Sequence, residues 1–120
     1  MSLYDQLGGD TAISAALDRF YDKVLADPTV SVFFDGVDVD RVKEQQRSFL
    51  AMAFGGPSNY QGRDLRSAHA AARARGLGEE QYEVFMGHFR DTLVELGVPE
   101  PQVVEVMAIA DTGKDDVLGR

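Results

Sequence analysis

The segment QYEVFMGHFRDTLVEL, residues 81–96, decides the class of fold. At about 100° per residue, six of its apolar side chains fall within one stripe on a helical surface, and Gly97 and Pro99 follow the segment. The pattern therefore predicts an amphipathic helix with one buried face. The stripe contains Tyr82, Phe85, Met86, Phe89, Leu93 and Leu96.

Helical segments lie on both sides of this helix. Gly8-Gly9 separates a short first segment from a longer one, which we expect Asp10 to cap and Asp27-Pro28 to end. A last helix covers residues 103–110, and a polar tail follows it. No segment shows the sustained alternation of a β-strand. The chain is predicted to be all-α, with one domain over residues 1–120.

The middle of the chain is divided into shorter pieces. An aromatic piece covers residues 32–34, and the next helix, opened by Asp38 or Asp40, ends at Gly55-Gly56-Pro57. A short segment then runs from about residue 63 to residue 75. Short helices with breaks between them do not match a regular four-helix bundle.

Composition and charge exclude several classes of protein. The chain has 120 residues, no cysteine and a formal net charge of −8. The lack of cysteine excludes disulfides and thiolate metal sites and fits a reducing compartment. The negative net charge argues against nucleic acid and membrane surfaces as partners. No apolar run reaches the roughly 18 residues that a membrane-spanning helix needs. We therefore expect a cytoplasmic protein without a secretory signal.

One of the two histidines lies on an apolar helical face. Measured from Leu65, Ala72 falls at about −20° and His69 at about +40°, so His69 points inward among small residues. His88 falls about 120° away from Tyr82, off the apolar stripe, and we expect it to be exposed. A lone histidine on an apolar face is more often an ordinary core residue than a ligand.

Two further polar side chains interrupt apolar faces. Gln46 lies in the middle of an apolar helical face, which is formed by residues three and four positions away from one another. A buried amide without a hydrogen-bond partner there costs on the order of 1–3 kcal/mol of folding free energy. Tyr21 lies at the margin of the apolar stripe in the second helix. Each is by itself compatible with an ordinary core position. Together with His69 they suggest an apolar slot with polar groups on both walls, the general form of a cofactor site.

The available donors narrow the kind of cofactor. One inward histidine without cysteine supplies too few ligands for structural zinc, and neither double glycine lies between a strand and a helix, as nucleotide binding requires. A catalytic Ser67-His69-Asp arrangement can be drawn, but no spacing favours it. Haem needs only one protein ligand, because the porphyrin supplies four nitrogens, and it leaves the sixth position open to a gas.

Several short motifs occur along the chain in a specific order. They are Leu3-Tyr4-Asp5 with Leu7-Gly8-Gly9, Phe20-Tyr21, Phe33-Phe34, Phe54-Gly55-Gly56-Pro57, Tyr60-Gln61-Gly62-Arg63 and Ala68-His69. In this combination the chain resembles the group I truncated haemoglobins, a globin family with a two-over-two helical sandwich. The resemblance covers the chain from about Leu3 to Ala110.

The resemblance implies roles for residues of this chain. His69 is expected to be the proximal ligand to the iron of haem b (iron protoporphyrin IX), with its other ring nitrogen donating to a backbone carbonyl. Tyr21 and Gln46 are expected to be distal donors, with Gln45 at the margin, and Phe34 to pack on the porphyrin. Val42 is expected at the place where globins often carry a polar distal residue. The apolar cage is expected to contain Phe20, Phe49, Leu50, Leu65, Tyr82, Phe85 and Met107. The candidates for contact with the propionates are Arg63, Arg66 and Arg73.

One departure from the family bears on the coordination of the iron. Some members carry a second histidine on the distal helix, which closes the sixth position, whereas this chain has Gln45 there. We therefore predict a five-coordinate iron rather than a bis-histidine state, with water, hydroxide or Tyr21 at the resting ferric site. No histidine lies near the carboxy terminus, so covalent attachment of haem through one is not expected.

The expected ligands are the diatomic gases O2, NO and CO. O2 takes electron density from ferrous iron, and hydrogen bonds from Tyr21 and Gln46, worth about 1–3 kcal/mol each, predict slow release and high affinity. The resemblance implies the dioxygenation of nitric oxide to nitrate, with an external reductase. A gas carrier, store or sensor without turnover is the alternative, and a haem-free helical interaction domain is a remote one.

Overall fold

The computed structural model describes residues 2–56 and 69–119, and these residues form helices and no strand. The predicted all-α class is therefore confirmed. Within the described residues, no helix is long and apolar enough to cross a membrane. The elements are α1 Leu3–Leu7, α2 Gly9–Ala26, α3 Pro28–Ser31, a 3-10 helix Val32–Phe34, α4 Val39–Ala53, α5 Ala70–Ala74, α6 Glu79–Glu95, α7 Glu100–Asp111 and α8 Lys114–Leu118.

Local capping explains several of the helix boundaries. Gly8 ends α1 in a left-handed conformation, with φ at 108°, which glycine adopts without a steric penalty, and α2 begins at the next residue. Asp10 therefore lies in the first turn of α2, and the prediction that it caps this helix is wrong. Asp27 and Asp38 do cap α3 and α4, because their carboxylates accept hydrogen bonds from backbone amides in the first turn.

The core lies between α2 and the helices that pack on it. α2 contacts α1, α3, α4 and α6, and α6 also contacts α3 and α7. Since the most deeply buried side chains come from α2, α3, α4 and α7, these helices share one apolar core. The apolar side chains that are at most 2% exposed are Leu17, Tyr21, Val24, Val30, Ala51, Val103 and Val106.

His88 is half-buried, and the prediction that it would be exposed is wrong. Its Nε2 lies 2.8 Å from Oδ2 of Asp27, and 23% of its side chain is exposed. This hydrogen bond is the main reason why the pKa of Asp27 lies below its ordinary value. Because Asp27 ends α2 and caps α3, the pair ties α6 to the junction of those two helices. The helical angle located His88 off the apolar stripe, but it did not show that a carboxylate covers that position.

The residues after Gly113 form the short helix α8, where the sequence predicted only a polar tail. Nζ of Lys114, the first residue of α8, lies 2.9 Å from Glu79 and 3.2 Å from Glu83, both on α6. Opposite charges on another helix and the packing of Val117 and Leu118 against the core therefore hold this segment in place, and the local sequence does not show these contacts.

Tyr4 lies against Gly56 just beyond the end of α4. The backbone amide of Tyr4 donates to the carbonyl of Phe54 at 3.0 Å, and its side chain is buried. A Cβ atom at Gly56 would overlap the ring of Tyr4. Glycine at this position therefore allows α1 to approach the end of α4 closely.

Gly56→Ala is expected to destabilise the protein by about 1–3 kcal/mol, because the buried ring of Tyr4 must move to admit the methyl group. Gly87→Ala is the matched control, since an added Cβ in the middle of α6 meets nothing within 4 Å. There the change should stabilise by about 0.5–1 kcal/mol through helix propensity. Urea denaturation measures both values, and equal effects at the two positions would contradict the close approach of Tyr4 to Gly56.

Candidate functional site

Tyr21 is buried in the core with its hydroxyl group paired. Its side chain is 1% exposed, and its Oη donates to Oε1 of Gln46 on α4 at 2.6 Å. Burial raises the pKa of Tyr21 above its ordinary value, and the bond to Gln46 opposes this rise only in part. The phenol therefore keeps its proton at neutral pH. The sequence placed Tyr21 at the margin of an apolar stripe, whereas the structure buries it and makes the half-buried Gln46 its partner.

Aromatic side chains pack around Tyr21. Its ring lies edge-on to Phe20 and Phe34, with centroids 5.0 Å and 5.4 Å apart. Phe85 on α6 extends the cluster, at 6.4 Å from Phe20 and 6.0 Å from Phe34. We call these four residues the aromatic cluster. It brings together three of the side chains that the sequence assigned to contact with a cofactor and places them beside the phenol.

The other candidates on α4 lie along the helix near Gln46. Val42, Phe49 and Leu50 are half-buried, and Gln45 is exposed. Val42 and Leu50 pack against the core. α4 therefore carries Gln46 among apolar neighbours, but this face is half-buried where the spacing predicted a buried one. Contact of these side chains with a cofactor stays a prediction.

Tyr82 bonds to the carboxy-terminal helices. It is buried, its Oη donates to Oδ1 of Asp111 at 2.8 Å, and the ammonium group of Lys114 lies 5.4 Å from the centre of its ring. Burial, together with the bond to Asp111, raises the pKa of Tyr82. Met107 on α7 is half-buried against the core. The assignment of Tyr82 and Met107 to an apolar cage stays a prediction.

His69 immediately precedes α5 and is half-buried. Its backbone carbonyl accepts a hydrogen bond from the amide of Arg73 at 3.0 Å, so the imidazole is attached at the first turn of this helix. Ala72, on the same segment, packs against the core. The remaining candidates of this part of the chain, Arg63, Leu65 and Arg66, lie outside the described residues.

Two arginines of the His69 segment bond to backbone carbonyls of other elements. Arg73 donates to two carbonyls of α8, and Arg75 donates to two carbonyls at the 3-10 helix. The assignment of Arg73 to a propionate stays a prediction, and the sequence reasoning missed Arg75 altogether. No sequence signal could have found these acceptors, because every residue carries a backbone carbonyl.

The donor set of the described residues fits haem. Within residues 2–56 and 69–119, no group of three or more histidine, aspartate or glutamate side chains is placed to hold a metal ion. Haem does not need such a group, since one imidazole completes the four nitrogens of the porphyrin. His88 bonds to Asp27, which leaves His69 as the candidate. Arg75 connects the His69 segment to the 3-10 helix that carries Phe34, and so to the aromatic cluster.

The sequence matches known proteins over nearly its full length. The family model for bacterial-like globins matches residues 2–118. Group 1 truncated haemoglobin LI410 of Chlamydomonas moewusii is 42% identical over 117 residues, which cover 98% of this chain and 68% of that protein. Group 1 truncated haemoglobin GlbN of Synechocystis is 40% identical over 122 residues, which cover 99% of this chain and 98% of that protein.

Solved structures agree with these matches. The Fe(III) form of the truncated haemoglobin from Tetrahymena pyriformis superposes with a TM-score of 0.90 at 35% identity, covering 100% of both chains. The 2/2 haemoglobin of Synechococcus, solved in the cyanomet state with covalently attached haem, superposes with a TM-score of 0.94 at 36% identity, again over both chains in full.

The fold and the donor set together define a globin, a protein that binds diatomic gases through haem. The chain belongs to the bacterial-like globin family, in which its relatives are the group 1 truncated haemoglobins with the 2/2 fold. These matches do not support the remote alternative of a haem-free interaction domain.

Proposed function

We propose that this chain holds haem b through His69 and retains O2 for the dioxygenation of nitric oxide to nitrate, with electrons from an external reductase. The observation that carries the proposal is the 2.6 Å hydrogen bond from Tyr21 to Gln46 beside the aromatic cluster. Polar groups in apolar surroundings are costly unless they are paired. Here the pairing keeps two hydrogen-bond donors inside the protein.

The two histidines of the chain divide into a candidate ligand and a structural partner. When bound, haem supplies an iron that takes up O2, NO or CO and changes its oxidation state. His69 would hold the iron, while His88 is bonded to Asp27. With Gln45 on α4 in place of a second histidine, the reduced iron is expected to be five-coordinate.

Tyr21 and Gln46 would act on the gas through their protons. Tyr21 carries one proton on Oη, and its raised pKa keeps that proton in place. Gln46 carries two protons on Nε2, and because its Oε1 is turned toward Tyr21, Nε2 lies on the other arm of the amide. We assign this Nε2 donor, and the Tyr21 proton after rotation of the hydroxyl group, to the bound gas.

The aromatic cluster would strengthen these hydrogen bonds. Phe20 and Phe34, with Phe85 packed against both, limit the access of water to the phenol, and a hydrogen bond is stronger in surroundings of low polarity. Two strong donors slow the release of O2. Slow release suits a reaction at retained O2 better than it suits delivery.

Stopped-flow mixing of the oxygenated ferrous protein with NO tests the proposal. We expect one nitrate and one ferric protein per NO, and continued consumption of NO when NADPH and a flavin reductase return the electron. Nitrate formation no faster than that of free haem would contradict the dioxygenase function and favour a carrier or sensor.

We also propose one domain over residues 1–120 and a cytoplasmic location, supported by the match over residues 2–118 and by the absence of cysteine.

A further inference from the structure

α5, the helix that follows His69, is too short to be stable by itself. It has five residues, and isolated helices shorter than about 12–15 residues are marginal in water. Ala70, Ala71 and Ala74 are exposed, and Ala72 is the alanine of α5 that packs against the core. Within α5 the burial of apolar surface is therefore limited to Ala72, and the next buried apolar side chain is Leu77, two residues beyond Arg75.

The first polar anchor of the His69 segment is Arg73. Its Nη1 donates to the carbonyls of Asp116 at 3.3 Å and Val117 at 3.1 Å, both in the last turn of α8. Carbonyls in the last turn lack the helical partners that interior carbonyls have, and arginine side chains can satisfy them. The carbonyl of Asp116 also accepts a hydrogen bond from the amide of Gly119 at 3.3 Å. Gly119, with φ at 74°, ends α8 against this guanidinium group, since an added Cβ would lie 2.8 Å from Nε of Arg73.

The second polar anchor is Arg75, just beyond the other end of α5. Its Nη1 donates to the carbonyl of Val32 at 3.2 Å and to that of Asp35 at 3.1 Å. Val32 begins the 3-10 helix and Asp35 follows it, so this arginine caps the element that carries Phe34. Phe34 in turn packs against Tyr21.

The partners of both arginines are themselves held by other contacts. α8 is attached to α6 through Lys114, which pairs with Glu79 and Glu83. The 3-10 helix is attached to the core through Phe33, which is buried and lies 6.1 Å from Phe85. Bonds to these elements can therefore place α5 relative to the rest of the protein.

We propose that Arg73 and Arg75 are positioning residues for His69. By capping α8 and the 3-10 helix, they set the placement of the short segment that carries the imidazole. The inference rests on the proposed role of His69 as the iron ligand, and it assigns the guanidinium group of Arg73 to α8 in place of a propionate. Without an anchor, the segment would occupy several positions, and the iron–histidine bond would differ from molecule to molecule.

Methionine and lysine substitutions distinguish the effect of the anchoring hydrogen bonds from the effect of the size of the side chain. Both acceptors of each arginine bond to one atom, Nη1, so a lysine ammonium group with its three protons can replace it, whereas methionine cannot. In the reduced holoprotein, Arg73→Met and Arg75→Met should shift and broaden the iron–histidine stretching band in resonance Raman spectra. Arg73→Lys and Arg75→Lys should keep the wild-type band. Arg90→Met is the control, because Arg90 pairs with Glu100 away from this segment.

Amide hydrogen exchange of the same holoproteins gives a second readout. The amides of Arg73, Arg75 and Leu77 donate within the segment, and in the methionine variants they should exchange at least about tenfold faster, with the amides of Val103 and Val106 unchanged. A wild-type protein without an iron–histidine band would overturn the proposed function. Methionine variants with a wild-type band would overturn this inference alone, even with faster exchange, because the arginines would then stabilise the segment without placing His69.

Discussion

Replacing His69 with glycine is expected to abolish the five-coordinate spectrum of the reduced haem protein, and added imidazole is expected to restore it. Glycine leaves a space of roughly the size of the lost ring, and free imidazole can occupy it and bind the iron. We expect the variant to lose most of its haem on gel filtration without imidazole and to retain it with imidazole. Absorption spectra of the oxidised, reduced and CO-exposed protein measure both effects.

His88→Ala is the matched control, because the chain contains only these two histidines. It removes the partner of Asp27, so the free energy of unfolding should fall, but the haem spectrum should not change. A His69→Gly protein with a wild-type spectrum would remove His69 from its proposed role. Loss of the haem spectrum in His88→Ala, in a protein that is still folded, would transfer that role to His88.

Tyr21→Phe is expected to accelerate the release of O2 by about 10- to 100-fold, because it removes a hydrogen bond worth about 1–3 kcal/mol and each 1.4 kcal/mol is a factor of ten. CO accepts hydrogen bonds weakly, so its release should change far less. The same substitution leaves Oε1 of the half-buried Gln46 without its donor, which should also lower the free energy of unfolding by about 1 kcal/mol. Flash photolysis and ligand replacement measure the two release rates.

Two further variants make this result specific. Tyr4→Phe removes a phenol that bonds to Asp10 on the surface side of α2, and it should leave both release rates unchanged. Gln46→Leu should accelerate the release of O2 like Tyr21→Phe if the amide is a donor to the gas. Equal acceleration of O2 and CO by Tyr21→Phe would show that the substitution opens the pocket, and it would contradict the role of the phenol proton.

The helix boundaries could be predicted from the sequence because their signals are local. Gly8, Asp27-Pro28 and Asp38 act within a turn of their own positions, and the structure ends or begins helices at each of them. Asp10 was assigned as a cap because it is a good capping residue, but Gly8 ends the preceding helix so tightly that α2 starts before Asp10. The sequence does not predict α8, because this helix depends on contacts with distant residues: Lys114 with carboxylates of α6, and Val117 and Leu118 with the core.

In the candidate site, too, local spacing predicted some features, whereas others depend on tertiary contacts. The spacing along α4 placed Gln46 on an inward face, and the spacing along α2 placed Tyr21 at the edge of one. These residues are 25 positions apart, and their pairing became visible only when α2 and α4 were packed together. The deep burial of Tyr21 likewise depends on Phe34 of the 3-10 helix, which itself packs against Phe85 of α6.

The sequence by itself therefore determined the all-helical fold, the family and the residues that supply inward donors. Only the tertiary structure decided the partners: Gln46 for Tyr21, Asp27 for His88 and the 3-10 helix for Arg75. The physical reason is the range of each interaction. A helical period arises from backbone geometry within a few residues, whereas a hydrogen bond depends on distance in space. Because every residue carries a backbone carbonyl, the sequence does not show which carbonyl an arginine will contact.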